Sequence, residues 1–232
     1  MGKPDPESTI TLLSMIWPPA KDGDLFGPDC PFTVDSFLEL EAQKLNTAFD
    51  SVPQMKGALR LVQHLHKHNV PICIATTSTR KSFEKKTAPH PELFGLFGDR
   101  IICGDDIRLA RGKPAPDIFL LAAREGLFAD ASYEAATKRL LGNHWVEGFR
   151  DLGPSMDGPQ HWRGGETNVV VLEDGKPGVH AAKAAGMHVV WVPDPNVQAL
   201  FPNNEIGASQ TISSLLDFDP ASWGLPPFED AE

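Results

Sequence analysis

Three separate groups of polar residues have the side chains that phosphate chemistry needs. A Thr-Thr-Ser group occupies positions 76–78, Lys113 lies within RGKPAPD, and Glu173 and Asp174 follow the apolar run NVVVL. A hydroxyl and backbone N–H groups at a strand-to-helix turn can bind phosphoryl oxygens. A lysine adds a compact positive charge, and carboxylates are the oxygen ligands that Mg²⁺ prefers. The set therefore predicts a site for a phosphate and Mg²⁺.

Each group also has a simpler explanation when it is taken alone. Threonine and serine after a strand are commonly helix caps, a single lysine is commonly solvated, and paired acids commonly occupy a surface turn. All three groups, however, follow predicted strands. Ligands of open parallel sheets bind beyond the carboxyl ends of the strands, so the convergence favours a functional site.

The elements that must position these groups alternate along the chain. Apolar runs predict buried strands at 70–75, 100–103, 168–172 and 187–192. Helical patterns precede or separate them at 57–69, 79–87, 116–126 and 177–185. Continuous apolar strands that alternate with helices indicate an α/β fold, with a parallel sheet covered by helices on both faces.

Two regions fall outside this alternation. Amphipathic patterns at 7–16 and 34–49, the second with Thr33 as its N-cap, predict a small helical unit before the sheet. Residues 130–167 are rich in glycine and contain two tryptophans. This stretch is too long for a routine crossover, so we interpret it as an insertion.

Composition excludes several classes of partner. The 232 residues carry a net charge of −10, and no basic stripe offers a surface to nucleic acid or an anionic membrane. The three cysteines have no CxxC spacing, which favours reduced thiols, and no apolar run is long enough to span a bilayer. We therefore expect a cytoplasmic protein without a nucleic-acid or membrane partner. With the polar groups described above, the expected partner is a small phosphorylated metabolite, and the expected state is a monomer.

The three groups lie in longer motifs that resemble a known family. The segments ICIATTS (72–78), GKPAPDIF (112–119) and VLEDGKPGVHAAKAAGMHVVWVPD (171–194) are similar to motifs II, III and IV of the haloacid dehalogenase (HAD) superfamily. Further segments resemble its pseudouridine-5′-phosphatase branch, namely 1–4, 52–78, 82–106 and 214–230. The resemblance covers nearly the whole chain, except the insertion at 130–167.

The resemblance implies a Rossmann-like HAD core over 56–232, a partial helical cap over 1–55, and a Mg²⁺-dependent phosphatase of small phosphomonoesters, pseudouridine 5′-phosphate among them. It implies that the Thr76 hydroxyl and the Thr77 amide bind the transferring phosphoryl group, and that Lys113 neutralises it. It further implies that Asp174 ligates Mg²⁺ directly, with Glu173 as an inner or water-mediated partner. One local departure is Gly175 after the acidic pair, where relatives often have Ser or Ala.

The family's nucleophile does not match any segment of the sequence. The family uses an aspartate in a DxDGT-like motif at the end of its first strand, whereas MGKP at 1–4 already resembles the middle of the cap. Asp22 and Asp24 of KDGDLFGPD are the only lookalike, and we interpret them as part of a cap loop. The expectation is an N-terminally truncated chain without motif I, whose strands ending at Thr76 and Glu173 lack the central strand between them.

Two explanations of the absent motif remain open, a mis-started reading frame of an ordinary enzyme and a catalytically inactive variant. The functional prediction is accordingly an HAD phosphatase, with negligible turnover expected from residues 1–232 alone. The alternative is a non-catalytic HAD-like protein that binds a phosphorylated ligand or a protein partner. A phosphomutase of the same superfamily is a weaker third option, because it needs the same aspartates.

Overall fold

A computed structural model describes residues 6–127, 169–202 and 205–229. The chain begins with two helices, α1 (Pro6–Ile16) and α2 (Val34–Ala48). Thr33 caps α2 as predicted: its hydroxyl accepts from the Ser36 N–H, and the Ser36 hydroxyl accepts from the Thr33 N–H, so two otherwise unpaired donors are satisfied.

Helices and strands then alternate, as the sequence predicts. The helices are α3 (Ala58–Lys67), α4 (Arg80–Thr87), α5 (Pro91–Phe94), α6 (Asp117–Ala122), α7 (Lys176–Ala184) and α8 (Pro195–Ala199). The strands are β1 (Ile74–Ala75), β2 (Ile101–Ile102), β3 (Val170–Glu173), β4 (His188–Trp191) and β5 (Gln210–Thr211). Helix α6 continues as a wider π-helical turn over Ala123–Leu127, which accounts for the longer helix expected there.

The strands form two parallel sheets. β1 pairs with β2, and β3, β4 and β5 pair in that order. Within the described residues, β1 and β3 therefore each keep one edge without a strand partner. The sequence predicts this for the strands that end at Thr76 and Glu173. The strand β5 was not predicted, because Gln210 and Thr211 interrupt any apolar run.

The first strand is shorter than the predicted 70–75. Pro71 has no N–H to donate, and the N–H of Val70 is used by the Leu65 carbonyl at the end of α3. Ladder hydrogen bonds to the neighbouring strand begin only at Ile74, whose N–H donates to Arg100. The apolar run therefore predicts the position of the strand correctly, but the available backbone donors make the strand shorter than the run.

The core confirms that helices cover both faces of the larger sheet. Val189 and Trp191 of β4 belong to a buried cluster shared with α6 and α7. Val190, which points the opposite way, packs with Leu61 and Leu65 of α3. The fold class predicted from the sequence is therefore correct.

Three further expectations concern the rest of the chain. The predicted insertion at 130–167 lies outside the described residues. All three cysteines carry free thiols, as predicted. Over the described ranges, no helix is both long and apolar enough to cross a bilayer.

Candidate active site

The Thr-Thr-Ser turn directly follows β1. The N–H of Thr76 donates to Ile102 of β2 at 3.0 Å, which places the turn at the carboxyl end of the sheet. The Thr76 hydroxyl accepts from the Ser78 N–H at 3.2 Å and so closes the turn. A Cβ at Gly104, just after β2, would overlap the Thr77 backbone, so only glycine lets the two strand ends approach this closely.

Lys113 lies in the connection between β2 and α6 and reaches both sheets. Its Nζ donates to the Ala75 carbonyl at the end of β1, at 3.3 Å, and forms an ion pair with Glu173 at the end of β3. The Lys113 and Glu173 side chains are each only 10% exposed. The ammonium also lies 4.5 Å from the centre of the Phe119 ring. The lysine therefore occupies the cleft between the two open strand edges.

The acidic pair occupies the turn from β3 into α7. The Glu173 carboxylate accepts from the Gly175 N–H at 3.3 Å and lies so close to Gly178 that a Cβ there would overlap it. Asp174 has an exposed side chain, while its carbonyl accepts from the Trp191 indole N–H at 2.9 Å. The two neighbouring carboxylates thus have different surroundings, one paired and one open to solvent.

The structure places some of the predicted site residues in direct contact and others only near one another. Lys113 contacts Glu173 and the residue before Thr76, although these groups are far apart in sequence. In the part of the chain that is described, no hydrogen bond or ion pair joins Lys113 to Thr76 or Asp174. The ion pair between Lys113 and Glu173 was not predicted, because the sequence assigned Lys113 to a phosphate and Glu173 to a metal ion.

The donor set is compatible with Mg²⁺ but does not complete its coordination. Within the described ranges, no three His, Cys, Asp or Glu side chains cluster tightly enough to hold a metal ion. Mg²⁺ is commonly bound by one or two carboxylates, with water and substrate phosphate supplying the rest. The exposed carboxylate of Asp174 fits that requirement, whereas Glu173 would have to divide its charge between the metal ion and Lys113.

Sequence reasoning missed two contacts next to the site. Arg111 and Asp117 form a forked ion pair with an N–O distance of 2.9 Å, which closes the loop that carries Lys113. An arginine and an aspartate flanking a proline-rich loop could have signalled this contact. Lys86 of α4 donates to the Ser78 hydroxyl at 3.0 Å, and burial lowers the pKa of Lys86. No sequence signal separates Lys86 from the solvated lysines around it.

Comparison with known proteins establishes the family. Residues 25–125 match the family model described as haloacid dehalogenase-like hydrolase. (DL)-glycerol-3-phosphatase 2 from Arabidopsis thaliana is 40% identical over 199 residues, which cover 86% of this chain and 68% of that protein. This chain is a haloacid dehalogenase-like hydrolase. The resemblance seen in motifs II to IV is confirmed.

Two further proteins, one similar in sequence and one similar in structure, support the place of this chain among the HAD-like hydrolases. A protein described as "Probable pseudouridine-5'-phosphatase" from Drosophila melanogaster is 34% identical, over 87% of this chain and 71% of its own length. The crystal structure of an HAD family hydrolase from Deinococcus radiodurans, with bound phosphate and sodium, matches with a TM-score of 0.58. It is 21% identical and covers 96% of this chain and 78% of that one, which supports the fold. The named relatives are phosphatases, so the chain is assigned to the phosphatases of the family.

Proposed function

We propose that this HAD-like hydrolase is a Mg²⁺-dependent phosphatase of small phosphomonoesters, with glycerol 3-phosphate and pseudouridine 5′-phosphate as candidate substrates. The observation that supports this most is the position of Lys113. Its ammonium bridges the ends of β1 and β3, one residue away from Thr76 and one from Asp174. A phosphoryl group placed there would meet a hydroxyl, a cation and a metal-binding carboxylate together.

Each residue has a distinct role in this proposal. The Thr76 hydroxyl and the Thr77 N–H donate to two phosphoryl oxygens, and Lys113 neutralises a third. A full positive charge at about 4 Å from an anion is worth roughly 4 kcal/mol at an effective dielectric near 20. Glu173 orients the Lys113 ammonium before the substrate arrives, so little reorganisation is needed on binding.

Mg²⁺ would be held by Asp174 and, directly or through water, by Glu173. When bound, the ion supplies positive charge that stabilises the phosphoryl oxygens. The exposed position of Asp174 leaves room for the water molecules that Mg²⁺ keeps. Trp191 supports this arrangement, because its indole N–H fixes the Asp174 carbonyl from the buried side.

We assign no nucleophile among the described residues. Asp22 and Asp24 lie in the connection between α1 and α2, and both are exposed. In the family, the attacking carboxylate ends the strand that would lie between β1 and β3, and among the described residues no strand pairs with either of those edges. From the sequence resemblance, we propose that residues 1–232 bind phosphate with negligible turnover, because phosphoryl transfer through an aspartyl-phosphate needs an attacking carboxylate.

One observation favours the alternative of phosphate binding without catalysis. Glu173 is committed to Lys113, and no third acidic or histidine ligand joins Asp174 within the described part of the chain. A protein that only binds a phosphorylated ligand or a partner would need nothing more. The two proposals differ in whether an engineered variant, with a family DxDGT strand joined to this chain, releases phosphate in a Lys113-dependent way.

We further propose that residues 1–55 form a partial cap over a core at 56–232, and that the protein is a cytoplasmic monomer. Contacts between the two parts support a defined cap position. The His90 ring bonds the Val52 carbonyl at 2.6 Å, and its other nitrogen lies 3.1 Å from the Gln54 amide. The free thiols agree with a reducing compartment.

The experiment is a calorimetric titration of inorganic phosphate in the presence of Mg²⁺. Lys113→Met is expected to weaken phosphate binding about tenfold or more, because a charge-assisted contact is lost. Lys44→Met, which removes the same charge from an exposed position on α2, is the matched control and should bind like the wild type. Equal affinities for the Lys113 variant and the wild type would contradict the proposal. Phosphate release from glycerol 3-phosphate by residues 1–232 would contradict the absence of a nucleophile.

A further inference from the structure

Lys86 is a second cation next to the phosphate-binding turn. It lies in the second turn of α4, and its side chain runs back towards the N-terminus of that helix. Its Nζ donates to the Ser78 hydroxyl at 3.0 Å and lies 4.5 Å from the centre of the Phe49 ring. Ser78 is only 9% exposed. The ammonium is therefore held in a fixed position rather than extended into solvent.

This cation has no counter-ion in the described ranges of the chain. No carboxylate forms an ion pair with Lys86, and burial alone lowers its pKa. The contrast with Lys113, which is paired with Glu173, is clear. Such a position is unfavourable for a charge, because a partly desolvated cation loses hydration that one hydroxyl and one ring face replace only in part. In a chain with a net charge of −10, the missing carboxylate is a local feature and does not reflect a shortage of acids.

The distance from Lys86 to the predicted phosphoryl position suits a small molecule. The Thr76 hydroxyl accepts from the Ser78 N–H at 3.2 Å, and the hydroxyl of the same serine bonds Lys86. The Thr76 hydroxyl and the Lys86 ammonium are therefore within about 10 Å of each other. A phosphomonoester with a second anionic group a few bonds from its phosphorus could reach both points.

Phe49 places this cation on the side of the turn that faces the helical unit. The ring follows α2 directly, so it belongs to the segment proposed as the cap, whereas Ser78 and Lys86 belong to the core. Substrate that extends from Thr76 towards the cap would meet the Lys86 ammonium at this boundary. The face of an aromatic ring also stabilises the cation without neutralising it, which leaves the charge available to an anion.

We propose that Lys86, positioned by Ser78 and Phe49, binds a second anionic group of the substrate, a carboxylate or a second phosphate. This proposal rests on the proposed function, because it assumes that the transferring phosphoryl group binds at Thr76 and Lys113. It extends the proposed substrates, glycerol 3-phosphate and pseudouridine 5′-phosphate, to phosphomonoesters that carry a further negative charge, which are expected to bind more tightly. Lys86 would then distinguish such molecules from phosphomonoesters of the same size that have no second anionic group.

The test compares two ligands of nearly equal size, 3-phosphoglycerate and glycerol 3-phosphate, which differ by a carboxylate in place of a hydroxymethyl group. Calorimetry with Mg²⁺ on the wild-type chain is expected to show about tenfold tighter binding of 3-phosphoglycerate. In Lys86→Met this preference should disappear, while the affinity for glycerol 3-phosphate stays within about threefold of the wild type. Lys81→Met, at an exposed position on the same helix, is the matched control and should keep the preference.

The outcomes separate this proposal from the proposed function. If both ligands bind equally well to the wild type, or if Lys86→Met keeps the preference, the role of Lys86 is overturned while the phosphate site stands. If neither ligand binds to the wild type, the phosphate site and the role of Lys86 both fail. Ser78→Ala is a second variant, for the case in which Lys86→Met does not fold. It keeps the Lys86 charge but removes the hydroxyl that positions the ammonium. It should reduce the preference for 3-phosphoglycerate without abolishing it.

Discussion

Lys113 and Glu173 form the contact on which the site depends at the scale of single residues. Both charges are largely removed from water, and each has the other as its ion-pair partner. Such a pair contributes little net stability compared with two neutral residues, but removal of one partner leaves an uncompensated charge. The sequence predicted that these residues share one site. It could not predict that they contact each other, since that depends on the packing of loops around the open strand edges.

The first prediction concerns the free energy of unfolding. Lys113→Met and Glu173→Gln should each destabilise the protein by about 2–4 kcal/mol, because each leaves a buried partner without compensation. The double variant should be clearly more stable than the sum of the two single losses predicts, since no charge remains unpaired. Urea unfolding of the four proteins gives the coupling energy. Additive losses would show that the pair is not formed in solution.

Gly178 offers a second prediction, on metal binding. An added Cβ at this position would overlap the Glu173 carboxylate, so Gly178→Ala should displace it from the turn. The proposed Mg²⁺ affinity should fall about tenfold, as for other changes that disturb the orientation of a metal ligand. Gly112→Ala is the control, because nothing lies within 4 Å of a Cβ there. Calorimetric titration with Mg²⁺ measures both, and unchanged affinity in Gly178→Ala would argue against Glu173 as a ligand.

At the scale of elements, the alternation of helices and strands was predictable and the lengths of the strands were not. Apolar runs located β1 to β4, and Thr33 correctly located the start of α2. Strand length depends on which backbone groups find partners. Pro71 shortens β1, and β5 exists because Gln210 and Thr211 pair with Val190 and Trp191 of β4. Such pairing is tertiary information, and periodicity in a single segment does not contain it.

The third prediction tests how closely the ends of β1 and β2 approach. Gly104→Ala would force its Cβ into the Thr77 backbone, which cannot move aside as a flexible side chain could. We expect a loss of about 2 kcal/mol in the free energy of unfolding, typical of overpacking. Gly95→Ala meets nothing within 4 Å and should change stability by less than about 0.5 kcal/mol. Urea denaturation of both variants makes the comparison, and equal stability of the two would contradict the close approach.

At the scale of the whole molecule, a parallel sheet flanked by helices was foreseen from the sequence, and the structure divides it into two sheets. The sequence predicted unpaired edges for the strands that end at Thr76 and Glu173, and within the described ranges β1 and β3 each keep one such edge. Lys86 was not foreseen, because its partners Ser78 and Phe49 come from different parts of the chain. Long-range contacts between side chains without a shared motif leave no trace in one sequence.

The fourth prediction is a dependence of global stability on pH. Burial raises the pKa of the Cys73 thiol to about 12 from 9.0, and the Arg100 guanidinium opposes this only in part. A raised pKa favours the neutral thiol in the folded state. Its stabilising effect is therefore complete below pH 9.0 and is lost as the pH rises towards 12. Between about pH 8 and about pH 10.5, the free energy of unfolding should fall by about 2 kcal/mol from this group.

Cys73→Ala provides the check on this dependence. Urea unfolding at the two pH values should show a smaller alkaline loss in this variant than in the wild type. Cys30→Ala, which removes a half-buried thiol from the connection between α1 and α2, should keep the alkaline loss because Cys73 is intact. An alkaline loss in Cys73→Ala as large as in the wild type would show that this thiol is not protected by burial.

The most direct test of the site is a crystal structure of the chain with tungstate, a phosphate analogue whose position anomalous scattering reveals. We expect one strong anomalous peak between the ends of β1 and β3, within hydrogen-bonding distance of the Thr76 hydroxyl, the Thr77 N–H and the Lys113 ammonium. An anion bound only at other positions, with Lys113 still paired to Glu173, would show that these residues do not form a phosphate site.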